Sequence, residues 1–186
     1  MKFKSPYIVF SAPSGGGKTT IVKMLHKKYP QTVISVSATT RPKRPGERDG
    51  VDYYFLTREE FERKIKEGKF LEYEEVHGNY YGTLKEVVDN HVRDDRVVLF
   101  DIDVNGALSI KKHYPNAILI FIKPPSEEVL VERLKKRHTE TEESIRRRLQ
   151  RLPYEYEQAK KFDYVVVNDD LEQTLKQVEE IILEND

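Results

Sequence analysis

Ser11-Ala12-Pro13-Ser14-Gly15-Gly16-Gly17-Lys18-Thr19-Thr20 decides how this chain is read. An apolar run, Tyr7-Ile8-Val9-Phe10, precedes it and reads as a buried strand. Ile21, Val22, Met24 and Leu25 follow and read as the apolar face of a helix that stops near Tyr29-Pro30. A strand, a glycine-rich turn and Gly-Lys-Thr opening a helix form the context of a phosphate-binding loop. Glycines let backbone N–H groups converge on a phosphate without a Cβ in the way. The helix N-terminus adds unpaired donors and partial positive charge. Lys18 is expected at the outer phosphates and the Thr19 hydroxyl at Mg²⁺. The usual pattern places glycine at position 12, and this chain has Ala12. The smallest side chain there predicts a slightly altered loop entry with the site kept.

Outward from this loop, the chain of 186 residues suits one compact domain with room for inserted subdomains. Basic and acidic residues balance at 32 each, so no net field favours nucleic acid or an anionic membrane. The absence of cysteine excludes disulfides and thiolate metal sites. No apolar run approaches the ~18 residues that span a bilayer, and the N-terminus lacks the apolar core of a signal peptide. The expectation is a cytoplasmic protein that engages neither nucleic acid nor membrane. Its oligomeric state is open.

Thr32-Val33-Ile34-Ser35-Val36 reads as a second buried strand. Residues 37–50 then hold Arg41, Lys43, Arg44 and Arg48 among Pro42, Pro45, Gly46 and Gly50. A basic loop past a strand end suits an anion site, although a solvated loop has the same composition. Thr57-Arg58-Glu59-Glu60 has capping-box spacing before a helix with Phe61 and Ile65 on one face. Residues 70–76 read as a strand, and Thr83 as the cap of a helix carrying Leu84, Val87, Val88 and His91. Residues 37–92 thus form a small mixed α/β insertion.

Arg96-Val97-Val98-Leu99-Phe100 reads as a central strand ending in Asp101-Ile102-Asp103, acids of the kind that serve metal or substrate beside a phosphate loop, although solvated strand-end carboxylates would look alike. Residues 117–122 read as another core strand. Residues 126–157 read as two helices, joined by a polar hinge and studded with arginines, that form a lid; a solvated charged helix pair would look alike. Phe162-Asp163-Tyr164-Val165-Val166-Val167 reads as a fifth core strand. Leu171, Leu175, Val178 and Ile182 mark the inner face of a last helix. Alternating strands and helices predict an α/β fold: a parallel five-stranded phosphate-loop core, with helices on both faces, built from residues 1–36, 93–125 and 158–186.

Over essentially its whole length the chain resembles the guanylate kinases. The matching pieces run from the loop at 11–20 through Ser-Ala-Thr-Thr-Arg-Pro-Lys-Arg-Pro-Gly-Glu at 37–47 and Gly-Val-Asp-Tyr at 50–53. They continue with Phe-Leu-Glu at 70–72, Gly-Asn-Tyr-Tyr-Gly-Thr at 78–83, Asp-Ile-Asp at 101–103, Arg-His-Thr-Glu-Thr at 137–141 and Val-Asn-Asp-Asp at 167–170. The resemblance implies reversible phosphoryl transfer from ATP to GMP, and to dGMP, giving ADP and GDP with Mg²⁺, a step toward GTP and dGTP. It places Ala12, Pro13, Ser14, Gly15, Gly16, Gly17, Lys18, Thr19 and Thr20 on ATP, with Arg133, Arg137 and Asn168 near the same nucleotide. It puts Arg41, Arg44, Tyr53 and Tyr81 on the GMP phosphate, Ser37, Glu72 and Thr83 on guanine with Asp103 nearby, and Thr19 and Asp101 at Mg²⁺. Lys18, Arg44, Arg137 and Arg148 carry the catalytic charge, and Arg148 also reaches the GMP side.

Ala38 stands where that family commonly has serine, and His138 where glycine is common, at the lid hinge. Two other readings compete with this one. A kinase for another phosphorylated acceptor shares the loop, but Glu72 disfavours AMP, because adenine presents an acceptor where guanine presents N1–H. A non-catalytic, phosphopeptide-binding scaffold domain of the same type would have a decayed phosphate loop, whereas Lys18 and Thr19 are intact.

Overall fold

A computed structural model describes residues 1–13, 18–138 and 140–185. The expectations for Ser14, Gly15, Gly16 and Gly17 lie outside the described residues. Strands β1 (Tyr7–Ser11), β2 (Thr32–Ile34), β7 (Val97–Asp101), β8 (Ile118–Lys123) and β9 (Tyr164–Val167) form one parallel sheet in the order β2-β7-β1-β8-β9. Between β2 and β7, strands β3 (Ala38–Thr39), β4 (Tyr54–Phe55), β5 (Phe70–Val76) and β6 (Asn79–Leu84) form a second, mixed sheet in the order β4-β3-β6-β5. The helices are α1 (Lys18–Lys28), α2 (Arg58–Lys66), α3 (Lys85–Arg93), α4 (Val104–His113), α5 (Glu127–Lys136), α6 (Glu142–Ala159) and α7 (Leu171–Ile182).

Strand alternation distributes the core. Ile8 and Phe10 of β1 point into a cluster with Ile21, Val22 and Leu25 of α1 and Val178 and Ile182 of α7. Tyr7 and Val9 point to the other face, against Val88 of α3 and Ala107 and Ile110 of α4. Both sheet faces are therefore covered by helices, as the continuous apolar run of β1 requires. Smaller clusters hold the appendages together: Phe61 stacks between Phe70 and Tyr80 over Ala38, and Leu130, Leu134, Ile145 and Leu152 join α5 to α6.

Strand β7 is an interior strand as its composition predicts, paired with β2 on one side and with β1, the middle strand, on the other. The structure corrects three sequence expectations. β9 is an edge strand with Tyr164, Val165 and Val167 exposed, so one side of that apolar run faces no neighbouring strand. Leu171 opens α7 exposed, while Thr174, Val178 and Ile182 carry its buried face. Thr83 does not cap α3. Leu84 occupies the N-cap without a side-chain bond, and Thr83 stays buried in β6. Thr57 does cap α2, its hydroxyl accepting from the Glu60 N–H at 3.1 Å and donating to Glu60 Oε1 at 3.0 Å.

Candidate functional site

The C-terminal ends of the main-sheet strands assemble the first half of the site. Ala12 and Pro13 leave β1 buried, and Lys18 opens α1. Asp101 ends β7 beside them. Its Oδ1 lies 3.2 Å from Lys18 Nζ, and its Oδ2 accepts a 2.7 Å hydrogen bond from the Thr19 hydroxyl. Thr20 is exposed on the first turn of α1. Asn168 follows β9 and is buried; its Oδ1 accepts from Thr174 Oγ1 at 2.9 Å, and its carbonyl accepts from Arg133 Nη2 at 3.0 Å. Arg133 Nη1 is buried with no hydrogen-bond partner among the described residues. Arg133 therefore reaches from α5 to the end of β9 with a guanidinium donor to spare.

The second sheet assembles the other half. Glu72 of β5 pairs with Thr83 of β6, and the Thr83 hydroxyl donates to Glu72 Oε1 at 3.4 Å. Gly82 allows this close pairing: a Cβ there would stand 2.8 Å from Phe70 Cδ1 and 2.9 Å from the Glu72 carbonyl. Glu72, Glu74, Asp103, Asn105 and Gly106 line a cavity of about 230 Å³ between β5 and α4. Asp103 caps α4, its Oδ1 accepting from the Gly106 N–H at 2.9 Å. Burial, then the charges of Asp103 and Glu74, push the Glu72 carboxyl up to about 7, against a smaller lowering effect of the Thr83 bond. Ser37 lies just before β3, its carbonyl accepting from the Tyr54 N–H at 2.9 Å.

The basic loop at 41–48 is built around one acid. Arg41 Nη1 and Nη2 donate to Glu47 Oε1 and Oε2 at 3.0 and 2.8 Å, and the Arg44 N–H donates to Oε1 at 2.7 Å. The Arg41 guanidinium lies over the Tyr53 ring, 5.1 Å from its centroid, and Tyr53 meets Tyr81 edge to face at 6.2 Å. Arg41, Tyr53 and Tyr81 are thus one cluster, whereas the Arg44 side chain is exposed.

Arginines of the two-helix segment stand nearby. Arg148 Nη2 donates to Glu140 Oε1 at 2.8 Å, and Glu140 Oε2 accepts from Ser144 Oγ at 2.6 Å. Arg137 caps the end of α5 and is exposed. His138 follows it with φ +55°, a left-handed conformation that explains why glycine suits this hinge position. Arg151 Nη2 lies 3.5 Å from Asp103 Oδ2, which ties α6 to the acidic cavity. Sequence reasoning missed the carboxylates that serve these arginines. Glu47 lay inside a quoted motif without a role, and Glu140 sits eight residues before Arg148. Glu155, buried on α6 seven residues after Arg148, is raised by burial and faces Arg151, Lys18 and Arg148.

Comparison with known proteins bears on this arrangement. The family model for guanylate kinase matches residues 4–185. A guanylate kinase of Chlorobaculum tepidum is 50% identical over 92% of this chain and 88% of its own length. One of Thermotoga maritima is 46% identical over 96% of this chain and 86% of its own length. A crystal structure of guanylate kinase from Anaplasma phagocytophilum superposes with a TM-score of 0.67 at 35% identity, covering 94% of this chain and 82% of that one. A shikimate kinase from Bacteroides thetaiotaomicron shares the fold alone, at 15% identity and a TM-score of 0.53 over 94% of this chain and 96% of that one. With the family model matching from Lys4 to Glu184 and beyond, and relatives near one-half identity, this chain belongs to the guanylate kinase family.

Proposed function

We propose that this chain transfers the γ-phosphoryl group of ATP to GMP, giving ADP and GDP, with dGMP as a second acceptor. Glu72 carries the choice of base. Its carboxylate lines a cavity at the second sheet, beside the Thr83 hydroxyl, and offers acceptors to the guanine N1–H and N2–H₂. Asp103 lines the same cavity, Thr83 is bonded to Glu72, and Ser37, which does not line that cavity, is read as a further guanine contact. Arg41, Arg44, Tyr53 and Tyr81 hold the GMP phosphate, where guanidinium forks and tyrosine hydroxyls match its oxygens. A kinase for AMP is disfavoured by the same carboxylate, and a decayed scaffold domain by the intact Lys18 and Thr19.

On the donor side, Lys18 neutralises the outer ATP phosphates, backed by loop residues 12–20. Asn168 is read near the ATP base, and Arg133, whose Nη2 donates to the Asn168 carbonyl, is read as ATP-binding lid charge directed at the transferring group. Arg137 and Arg148 bring charge from the lid onto the transferring group. Phosphoryl transfer asks for positioning and charge neutralisation more than covalent help, and these residue types supply both.

The Thr19 hydroxyl and Asp101 carboxylate, 2.7 Å apart at the strand end, are hard oxygen donors of the kind Mg²⁺ takes, so these residues fit that ion. No group of three or more metal-binding side chains occurs among the described residues. That suits Mg²⁺, which is usually held by one or two carboxylates together with substrate phosphates. Bound with ATP, Mg²⁺ would supply charge neutralisation at the phosphate oxygens.

By these roles the chain divides into a core (1–36, 93–125 and 158–186), an acceptor-binding insertion (37–92) and a lid (126–157). The separate sheets and the separate α5–α6 cluster support that division. No helix among the described residues is long and apolar enough to cross a membrane. A cytoplasmic place fits small-molecule substrates. The test is ADP formation from ATP with GMP, AMP, UMP and CMP in turn. Turnover with GMP far above the others supports the reading, and its absence overturns it.

A further inference from the structure

Glu47 is an acid at the centre of a basic loop. Residues 41–48 hold four cations, and an anion among them lowers the field that would attract a phosphate. Coulomb attraction alone therefore gives no reason for it. Its geometry does. Both oxygens face the Arg41 fork at 3.0 and 2.8 Å, and Oε1 also takes the Arg44 N–H at 2.7 Å. The Glu47 N–H closes the turn onto the Arg44 carbonyl at 3.1 Å, and Gly46, at φ +87°, bends the chain back to allow it. The Arg41 N–H meets Thr39 Oγ1 at 3.1 Å, so that residue is fixed at both its main chain and its fork. The Arg41 and Glu47 side chains are only 12% and 20% exposed, which screens this pair less than an open surface bridge.

We propose that Glu47 is a positioning residue for the acceptor phosphate: it freezes the Arg41 guanidinium against Tyr53 and sets the main chain of Arg44 before the phosphate arrives. An arginine side chain has a large rotamer entropy to lose, and a partner that orders it in the free protein removes that cost from binding. The fork toward Glu47, with a 3.0 Å bond from Nη1 to the Pro42 carbonyl, leaves Arg41 Nε–H and the second Nη2 hydrogen for a ligand. The low ionisation range of Glu47, set first by its bond to Arg41, keeps the pair charged at any working pH. The inference rests on the reading of Arg41 and Arg44 as acceptor-phosphate residues.

Two roles for an acid at this place predict opposite signs. If Glu47 only masks positive charge, Glu47→Gln tightens GMP binding. If it positions Arg41, the same variant weakens GMP binding, because the amide presents a donor to one of the donors that Glu47 now satisfies. The experiment measures equilibrium binding of GMP and guanosine, and the KM values for GMP and ATP, in the wild-type chain, Glu47→Gln and Arg41→Ala. Positioning predicts that Glu47→Gln weakens GMP roughly tenfold to hundredfold, the range for losing one charge-assisted contact. Guanosine affinity and the KM for ATP stay as in the wild type, and retained guanosine binding shows that the variant folds. Tighter or unchanged GMP binding overturns the inference, as does an equal loss for guanosine, which marks general loosening of the insertion. Arg41→Ala with an unchanged GMP-to-guanosine ratio would instead overturn the phosphate-site reading beneath it.

Discussion

Lys18 Nζ stands 3.2 Å from Asp101 Oδ1, so the lysine that opens α1 is already paired with the acid that ends β7. The two residues are 83 positions apart in the chain and meet because β1 and β7 are parallel neighbours. Asp101 thereby orients both Lys18 and, through its other oxygen, the Thr19 hydroxyl. Lys18→Ala is expected to abolish turnover while leaving GMP binding near the wild-type value, since Lys18 serves the donor phosphates. Steady-state kinetics with calorimetric GMP binding checks this, and near-normal turnover would remove Lys18 from the reaction.

Arg137 and Arg148 are predicted to act mainly in the transition state, where charge spreads over the transferring group. Replacing either with alanine should lower kcat by about 10²-fold or more, the scale for one preorganised charge-stabilising contact. A rise in KM for ATP with kcat unchanged would make them simple binders.

His138 tests the hinge by stability. At φ +55° a β-branched side chain is strained, so His138→Val should destabilise the fold by about 1–2 kcal/mol. His138→Gly relieves that conformation but adds freedom to the unfolded chain, and the two effects offset to within ~0.5 kcal/mol. Urea denaturation of both variants gives the comparison. Equal stabilities would mean that this position tolerates any residue.

The Glu72 carboxyl, pushed up to about 7 by burial and by Asp103 and Glu74, makes acceptor binding pH-dependent. Guanine donors require the ionised form. Below about pH 7 the free protein increasingly holds a proton that GMP must displace, so kcat/KM for GMP should fall with decreasing pH by up to tenfold per unit. The GMP phosphate titrates nearby, with a second pKa of about 6, but Glu72→Gln keeps that contribution and loses the rest. The difference between the two profiles isolates Glu72. Superimposable profiles would show that its proton plays no part in binding.

Much of this was legible in the chain because local signals agreed. The Tyr7–Phe10 run, the glycine-rich stretch and Gly-Lys-Thr each point to a buried strand meeting a helix, and the Thr57 cap marks the start of α2. What was not legible depended on partners distant in sequence. Whether an apolar strand is central or at an edge is decided by its neighbours, so β9 reads like β8 although three of its four residues are exposed. Thr83 has the composition of a helix cap, yet its hydroxyl is drawn to Glu72 on the adjacent strand. The acids that hold the arginines were obscured by a 34% charged composition, in which Glu47 and Glu140 look like any surface glutamate until their partners are seen.

The central claim is that the Glu72 carboxylate makes this a kinase for guanine and not for adenine. The most direct measurement is kcat/KM for GMP and for AMP in the wild-type chain and in Glu72→Gln. The variant keeps the side-chain shape but turns one acceptor into a donor. The account predicts a loss for GMP of roughly tenfold to several-hundredfold, from a charge-assisted bond and a stranded donor, with AMP losing less or gaining. An unchanged GMP-to-AMP ratio would contradict it.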